Sequence, residues 1–126
     1  MKQMGTGVSV EDTIARVRKA YDALAKDDLQ AARGAFAEGA IFHSQLRGSD
    51  FRGRDAVFAE MERQQRERKI QTKVHDVCAS AEHAVALLEM SQETDGQRTS
   101  DRVVHVLHLD TDGKIKEMWA LFNPNA

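Results

Sequence analysis

The chain has 126 residues and a mass of 14.1 kDa, with 18 basic and 20 acidic side chains. This length predicts one domain, because a second domain would need a core of its own. The net charge of -2 argues against a nucleic acid as the main partner, since phosphate binding needs a basic surface. No apolar run approaches the ~20 residues that span a bilayer, so no membrane contact is predicted. The single cysteine excludes an internal disulfide and indicates a reducing, cytoplasmic setting.

The chain begins with a polar segment and a long predicted helix. Residues 1–8 have no apolar stretch of the kind that a signal peptide carries, and we expect them to be a disordered lead to a single domain over 9–126. Ser9 and Asp12 form a capping-box pattern, which marks the start of a helix. Apolar residues then recur at helical spacing and include Tyr21, so this helix has one buried face.

Two further helices and a short strand complete the predicted first half. A second helix is expected from Leu29 to Phe36, followed by a strand from Ala40 to Ser44 and a glycine-containing loop from Arg47 to Gly53. The third helix is expected from Arg54 to about Lys69. Its charged end, residues 63–69, fits a solvated surface better than a contact with a partner protein.

The second half is rich in strands, and this segregation of helices from strands predicts an α+β fold. Asp95-Gly96 and Asp112-Gly113 are typical of two-residue hairpin turns, which require positive φ at both central positions. The four predicted strands are Thr72–Ala79, His83–Glu93, Ser100–Leu109 and Lys114–Phe122.

Two tight turns define the register of the last three strands and sort their side chains onto two faces. His105 then lies opposite Ala86 on one side and Ala120 on the other. The face that includes His105 is almost entirely apolar, so we expect it to lie under the helices. It carries Ala86, Leu88, Met90, Val103, His105, Leu107, Met118, Ala120 and Phe122.

The opposite face mixes apolar and charged residues. It is too apolar to remain in water, and we interpret it as a homodimer interface. The dimer contact is expected at Val104, Val106, Trp119 and Leu121. The same face carries Val85, Leu87, Glu89, Arg102, His108, Ile115 and Glu117.

His105 is the residue that most strongly indicates chemistry. It stands in the middle of the apolar face between two alanines, whose small side chains leave space above it. A buried polar group without a partner is costly, so the imidazole needs a hydrogen-bond partner, a water or a ligand. One interpretation is an acid, base or donor at the floor of a pocket. The other is a core histidine bonded to Tyr21 or to a backbone carbonyl.

His43 and Ser44 end the first strand and point to opposite faces of the sheet. If the face shared by Phe42 and Ser44 is inward, Ser44 is a polar group of the pocket and His43 packs at the interface or in the loop. If that face is outward, His43 faces the pocket. The sequence leaves both alternatives open.

The expected pocket therefore has His105 and His43 as catalytic candidates within a mostly apolar wall. The ring of the helical tyrosine belongs to the core, and its hydroxyl needs a partner that the cavity can supply. The ligand-binding residues are expected to be Tyr21, Phe42, Ser44, Leu88, Met90, Met118 and Phe122.

No metal and no cofactor are predicted. His75, His83 and His108 show no tight ligand spacing with an acidic or cysteine partner, whereas a zinc site needs three or four converging ligands. Cys78 lies in mid-strand without a second cysteine nearby, and we expect a buried, inert thiol. No phosphate-binding glycine motif or hydrolase motif is present.

Three segments resemble the SnoaL-like family. VRKAYDALAKDDL, from Val17 to Leu29, resembles the family's first helix and Asp-Leu turn. AIFHSQLRGSDFRGRDAV, from Ala40 to Val57, resembles the strand and loop that follow, and RVVHVLHLDTDGKIKEMWALF, from Arg102 to Phe122, resembles the closing hairpin. In this order the resemblance covers residues 10–123. The wider superfamily includes nuclear transport factor 2, ketosteroid isomerases, scytalone dehydratase and limonene-epoxide hydrolase.

The resemblance implies a cone-shaped, curved mixed β-sheet covered on its concave face by three N-terminal helices, which is the cystatin-like α+β barrel. It also implies dimerisation through the outer sheet face. It does not imply an activity, because Ser44 stands where ketosteroid isomerases have an aspartate base and His105 where they have a second acid. A serine hydroxyl stays protonated near neutral pH and cannot replace that base, whereas an imidazole titrates there.

The predicted function is that of a SnoaL-like dimer that binds a small apolar or amphipathic molecule. Proton transfer assisted by His105 is the predicted chemistry, of the isomerase, cyclase or hydrolase type. The alternative is a non-catalytic ligand-binding or dimerisation module of the same fold, which the missing carboxylates favour. A cavity of about 300 Å³ or more with converging polar groups supports a ligand site.

Overall fold

The computed structural model describes residues 9–44 and 49–122, with the side chains of Ser49 and Phe122 left out. The predicted lead over residues 1–8 lies outside the described residues. The described residues form three helices and six strands. In chain order these are α1 (Val10–Ala25), α2 (Leu29–Arg33), β1 (Phe36–Ser44), β2 (Ser49–Arg52), α3 (Arg54–Arg68), β3 (Gln71–Ala79), β4 (His83–Thr94), β5 (Gln97–Leu109) and β6 (Ile115–Phe122).

Helix α1 begins at the predicted capping box. The Ser9 side chain accepts a hydrogen bond from the backbone N–H of Asp12, and the Asp12 carboxylate accepts one from the backbone N–H of Ser9. This arrangement satisfies two of the four N–H groups that a helix start leaves without partners. The helix then buries the face that includes Val17 and Tyr21, so the predicted amphipathic helix is confirmed.

The region between α1 and α3 differs from the prediction. Helix α2 ends at Arg33, and Phe36 opens a long β1 instead of closing a helix, because its ring is only 1% exposed and packs edge-on against Phe58. The expected loop over 47–53 contains the short strand β2, which pairs antiparallel with β1. Phe51 of β2 stacks on Phe42 of β1, which supplies the packing for this edge strand.

The six strands form one mixed sheet in the order β2-β1-β6-β5-β4-β3. The pairing of β1 with β6 is parallel, and the other pairings are antiparallel. Helix α1 packs on β3, and α3 packs on β1. The curved sheet therefore has a concave face under the helices, and the predicted α+β cone is confirmed.

The β4–β5 hairpin has the predicted two-residue turn. Asp95 and Gly96 have φ values of 54° and 80°, and the flanking Thr94 and Gln97 are paired. The resulting register places His105 opposite Ala86 and, through β6, opposite Ala120, as predicted.

The β5–β6 turn is not the predicted two-residue turn. Its loop has three residues, 111–113, because the backbone N–H of Gly113 donates to the carbonyl of Asp110 and the N–H of Asp110 donates to the carbonyl of Lys114. Gly113 adopts φ of 78°, as the last loop residue of such a turn requires.

A bulge after this turn restores the predicted register farther along. Ile115 pairs with Leu109, and the next pair is Glu117 with His108, so Lys116 is the extra residue. The bulge turns Ile115 inward, where it is 3% exposed within the core, so its predicted place on the outer face is wrong.

Cys78 is exposed, and the predicted buried thiol is wrong. Its neighbour Val77 on the edge strand β3 takes the buried position, and side chains alternate along a strand, so Cys78 faces outward. Among residues 9–44 and 49–122, no helix has both the length and the apolar character that a membrane crossing requires.

Candidate functional site

A cavity of about 280 Å³ lies between the concave face of the sheet and the helices. This volume lies just below the usual range of small-molecule sites, which is about 300–1,000 Å³. Its apolar wall is formed by Leu24, Leu29, Phe42, Met61, Ile70, Met90, Val103, Met118 and Ala120. The cavity therefore suits a compact, largely apolar ligand.

Tyr21 and His105 form a hydrogen-bonded pair in the wall of this cavity. The Tyr21 hydroxyl lies 2.5 Å from Nδ1 of His105, and the two side chains are 3% and 7% exposed. Tyr21 lies on the buried face of helix α1, which faces the sheet. The β4–β5–β6 register places His105 on the concave face of the sheet, toward Tyr21. The structure shows the bond to Tyr21 that one sequence-based interpretation expected, and it places the His105 ring in the cavity wall.

Burial keeps both members of the pair neutral. It lowers the pKa of His105 to about 4 and raises the pKa of Tyr21 well above its ordinary value. The expectation that His105 titrates near neutral pH is therefore corrected. In the described part of the chain its side-chain hydrogen bond uses Nδ1, which leaves Nε2 as the nitrogen for a ligand. A neutral imidazole whose Nδ1 accepts from the tyrosine hydroxyl donates through Nε2.

One row of paired residues crosses the concave face at the level of the pair. Ser44 of β1 lies opposite Ala120 of β6, which lies opposite His105 of β5, and Ala86 of β4 follows. Ser44 is buried and lines the cavity, so the structure selects the alternative in which Phe42 and Ser44 face inward. The methyl side chain of Ala120 leaves open the space between these two polar groups.

The cavity wall contains most, but not all, of the predicted ligand-binding residues. Leu88 is 3% exposed and belongs to the core. On β4 the cavity is lined by Met90 and not by Leu88. The side chain of Phe122 lies outside the described residues. The predicted residues that line the cavity are Tyr21, Phe42, Ser44, Met90, His105 and Met118.

His43 lies on the outer face of the sheet, so its predicted place in the pocket is wrong. Strand alternation turns it away from the cavity once Ser44 faces inward. Its Nδ1 lies 2.8 Å from Asp50, its Nε2 lies 2.6 Å from Glu117, and its ring stacks on Trp119. The hydrogen bond with Glu117, opposed by burial and supported by Asp50, raises the pKa of His43 above its ordinary value.

A polar rim at the mouth of the cavity was not predicted. Gln64, Gln65 and Arg68 line it from the end of α3, for which the sequence predicts a solvated surface. With Met61 they occupy positions i, i+3, i+4 and i+7, so they share one helix face with a residue of the apolar wall. This helical spacing is the feature of the sequence from which the rim residues could have been predicted.

The carboxylates that line the described cavity are Asp27 and Asp101, both exposed. Asp101 shares the face of His105 on β5 but lies four residues away, which is about 13 Å along a strand. Burial is the cause of the low pKa of His105, and neither carboxylate contributes to that shift. The site thus offers neutral hydrogen bonding inside and charge only at its mouth.

Comparison with known proteins identifies the family of this α+β cone, whose apolar cavity contains a polar pair. The model of the SnoaL-like domain matches residues 17–118. The chain belongs to this family, and it shares its fold with solved structures of an NTF2-like protein and of a protein with a ketosteroid isomerase-like fold. No curated protein sequence matches the chain.

Several solved structures share this fold. Bal32a, from a soil-derived mobile gene cassette, is 21% identical, with 91% of this chain and 92% of that chain covered and a TM-score of 0.83. An LEH-like epoxide hydrolase of Mycobacterium tuberculosis is 19% identical, with 90% and 84% covered and a TM-score of 0.78. A third protein, from Mycobacterium tuberculosis in complex with estradiol-17beta-hemisuccinate, is 15% identical, with 90% and 95% covered and a TM-score of 0.77.

The protonation of His105 can be measured directly. We expect NMR titration of its ring to give a pKa of about 4, so the imidazole stays neutral from pH 8 to pH 5. Because burial is the cause, Tyr21→Phe should leave this pKa low. The unfolded chain binds the proton between about pH 6.5 and pH 4, so this group lowers stability as the pH falls through that window. A ring pKa near 6.5 in the folded protein would contradict the assignment.

His43 should have the opposite pH dependence. Its raised pKa means that the stabilisation is fully present below pH 6.5 and is lost as the pH rises through the folded value. We expect His43→Gln to lower the free energy of unfolding by about 1–2 kcal/mol at pH 6 and by less at pH 9. Urea denaturation at both pH values measures this, with His75→Gln, at an exposed histidine of β3, as the control. An equal loss at the two pH values would show that charge on His43 contributes nothing.

Proposed function

We propose that the chain binds a small, mostly apolar molecule and holds an oxygen atom of that molecule at the Tyr21–His105 pair. The observation that carries this proposal is the buried hydrogen bond between these two side chains in the wall of an apolar cavity. A polar pair placed there costs desolvation energy, which a ligand hydroxyl or carbonyl group at Nε2 offsets in part.

The polar rim indicates the other end of the ligand. Arg68 and the amides of Gln64 and Gln65 form this rim, whereas the larger part of the cavity surface is apolar. A ligand that spans the cavity therefore has one oxygen at its inner end, an apolar body and a polar outer end. The complex of a structural neighbour with estradiol-17beta-hemisuccinate supports small-molecule binding by this fold.

Binding is favoured over proton transfer as the role of the pair. A general base works best with a pKa near the working pH, and the pKa of His105 lies near 4. In addition, no carboxylate among the described lining residues lies close enough to balance an imidazolium at this depth. The neutral imidazole is suited to donate a hydrogen bond to a ligand oxygen. This hydrogen bond polarises the ligand group that carries the oxygen.

A His-assisted proton-transfer enzyme is the second candidate. The 2.5 Å bond between Tyr21 and Nδ1 of His105 favours it, because in the tautomer whose Nδ1–H donates to the tyrosine oxygen the lone pair of Nε2 is available to take up a proton. Reactions of the isomerase, cyclase or hydrolase type fit this arrangement. Because the pKa of His105 is low in the chain alone, the substrate of such an enzyme must raise this pKa when it binds.

A pair of matched probes tests the binding role. We expect 2-naphthol, which has a hydroxyl group, to bind about two- to tenfold more tightly than naphthalene, since one buried hydrogen bond contributes about 0.5–1.5 kcal/mol. In His105→Ala and Tyr21→Phe this ratio should fall toward one. His105→Gln keeps a hydrogen-bonding amide and should retain part of the preference, although it cannot relay a proton. Fluorescence titration measures the affinities for both probes in the wild-type chain and in each variant.

The control is His75→Gln, which should keep the ratio of the wild-type chain. Native mass spectrometry of the purified protein adds a search for a ligand that copurifies with it. The proposal is wrong if the folded His105→Ala variant keeps the full preference for 2-naphthol. It is also wrong if neither probe binds the wild-type chain.

We also propose a homodimer through the outer sheet face. Val104, Val106 and Trp119 are half-buried there, and Leu121 is 43% exposed, so this apolar surface remains in contact with water in one chain. A cytoplasmic location is part of the same proposal, because the lone Cys78 forms no internal disulfide.

Sedimentation measures the oligomeric state. We expect a mass of twice the 14.1 kDa chain for the wild type and a shift toward one chain in Leu121→Asp, which puts a charge into the apolar contact. His75→Asp adds the same charge at an exposed position of β3 and should leave the dimer intact. A monomeric wild-type protein, or equal effects of the two substitutions, would refute this interface.

A further inference from the structure

Two histidines and a glutamate come together on the outer face of the sheet, away from the cavity. His83 of β4 is paired directly with His108 of β5, and Glu82 immediately precedes β4. Strand alternation separates this group from the site described above, because Ala84 and Leu107 beside the two histidines are fully buried on the concave side.

The side chains of this group already lie close to one another. The two imidazole rings are stacked with their centroids 4.4 Å apart and their planes 11° apart. One ligand atom from each of the three residues lies within 4.8 Å of the other two. A tetrahedral zinc ion holds its nitrogen ligands about 3.3 Å apart. Small side-chain rotations close the difference, and Glu82 and His83 are exposed while His108 is half-buried, so the space for such rotations exists.

We propose that Glu82, His83 and His108 of one chain bind a divalent transition-metal ion such as Zn²⁺. Two imidazoles and one carboxylate form the donor set that zinc prefers, and it differs from the all-oxygen sets of Mg²⁺ and Ca²⁺. Three protein ligands leave a fourth position for water.

The backbone supports this arrangement. Cross-strand pairing holds the β-carbons of the two histidines at a fixed short separation. The backbone N–H of Leu109 donates to the carbonyl of Glu82, so the residue that precedes β4 is held beside the end of β5. The ligands are thus largely positioned before the ion arrives, which reduces the conformational entropy lost on binding.

The charged neighbours of the group oppose each other. Lys116, the bulge residue of β6, and Glu117 both interact electrostatically with His108. Glu117 also accepts a hydrogen bond from His43 and is therefore engaged elsewhere. The opposite charges of Lys116 and Glu117 offset each other near His108, so they do not exclude a cation from the three ligands. An ion bound here would connect β4 to β5 and stabilise the folded chain, because the unfolded chain has no preformed site.

Calorimetric titration of the tag-free chain with Zn²⁺ at pH 7.5 tests the proposal, after prior treatment with a chelator. We expect one ion per chain, and an increase in Kd of at least about tenfold in His83→Ala and in His108→Ala, since even outer-shell changes have effects of that size. Glu82→Gln should weaken binding to a smaller extent. Mg²⁺ in excess should not compete.

The matched control is His75→Ala, which removes an exposed strand histidine outside the group and should bind Zn²⁺ like the wild type. His83 is exposed, so its variant remains informative even if His108→Ala fails to fold. Absence of Zn²⁺ binding by the wild-type chain would overturn the proposal. Unchanged affinity in His83→Ala, or a stoichiometry of one ion per two chains, would overturn it as well.

Discussion

The strand register set by the Asp95-Gly96 turn is the constraint on which both faces of the sheet depend. Because side chains alternate with a period of two, a slip of one residue would exchange the two faces of β4 and β5. The observed register turns His105 toward the cavity and leaves Val106 and His108 outside. A turn of two residues therefore determines which imidazole lines the cavity and which one lies on the outer face of the sheet.

The same side chain has two different charge states on the two sides of this sheet. His105 has a neutral hydroxyl as its partner and no nearby carboxylate among the described residues, so burial keeps its imidazole neutral. His43 lies between Asp50 and Glu117 on the outer side, where these acids stabilise the imidazolium. Charge is thus placed outside the cavity, and the polar groups at its inner end act as hydrogen-bonding groups.

The fold could be predicted wherever a local signal agrees with the tertiary packing. The capping box of α1 and the Asp95-Gly96 turn are such signals, and both are confirmed. Ile115 was misplaced because Asp112-Gly113 also fits a three-residue turn with a compensating bulge, and backbone hydrogen bonds decide between the two. Strand β2 was missed because its four residues form a strand only through pairing with β1, a contact that periodicity within the segment cannot reveal.

The inner end of the site followed from the sequence, and its mouth did not. Tyr21 and His105 lie on faces that helical and strand periods identify, whereas the glutamines and Arg68 at the mouth depend on how the end of α3 lies over the sheet. The predicted register also contained the His83–His108 pair, which a search for short ligand spacings along the chain overlooks. Since the Tyr21 bond occupies Nδ1 of His105, a single nitrogen remains at the inner end. The cavity should therefore select a ligand with one oxygen on an apolar inner end, and a ligand charged at that end should be excluded by the cost of burying the charge.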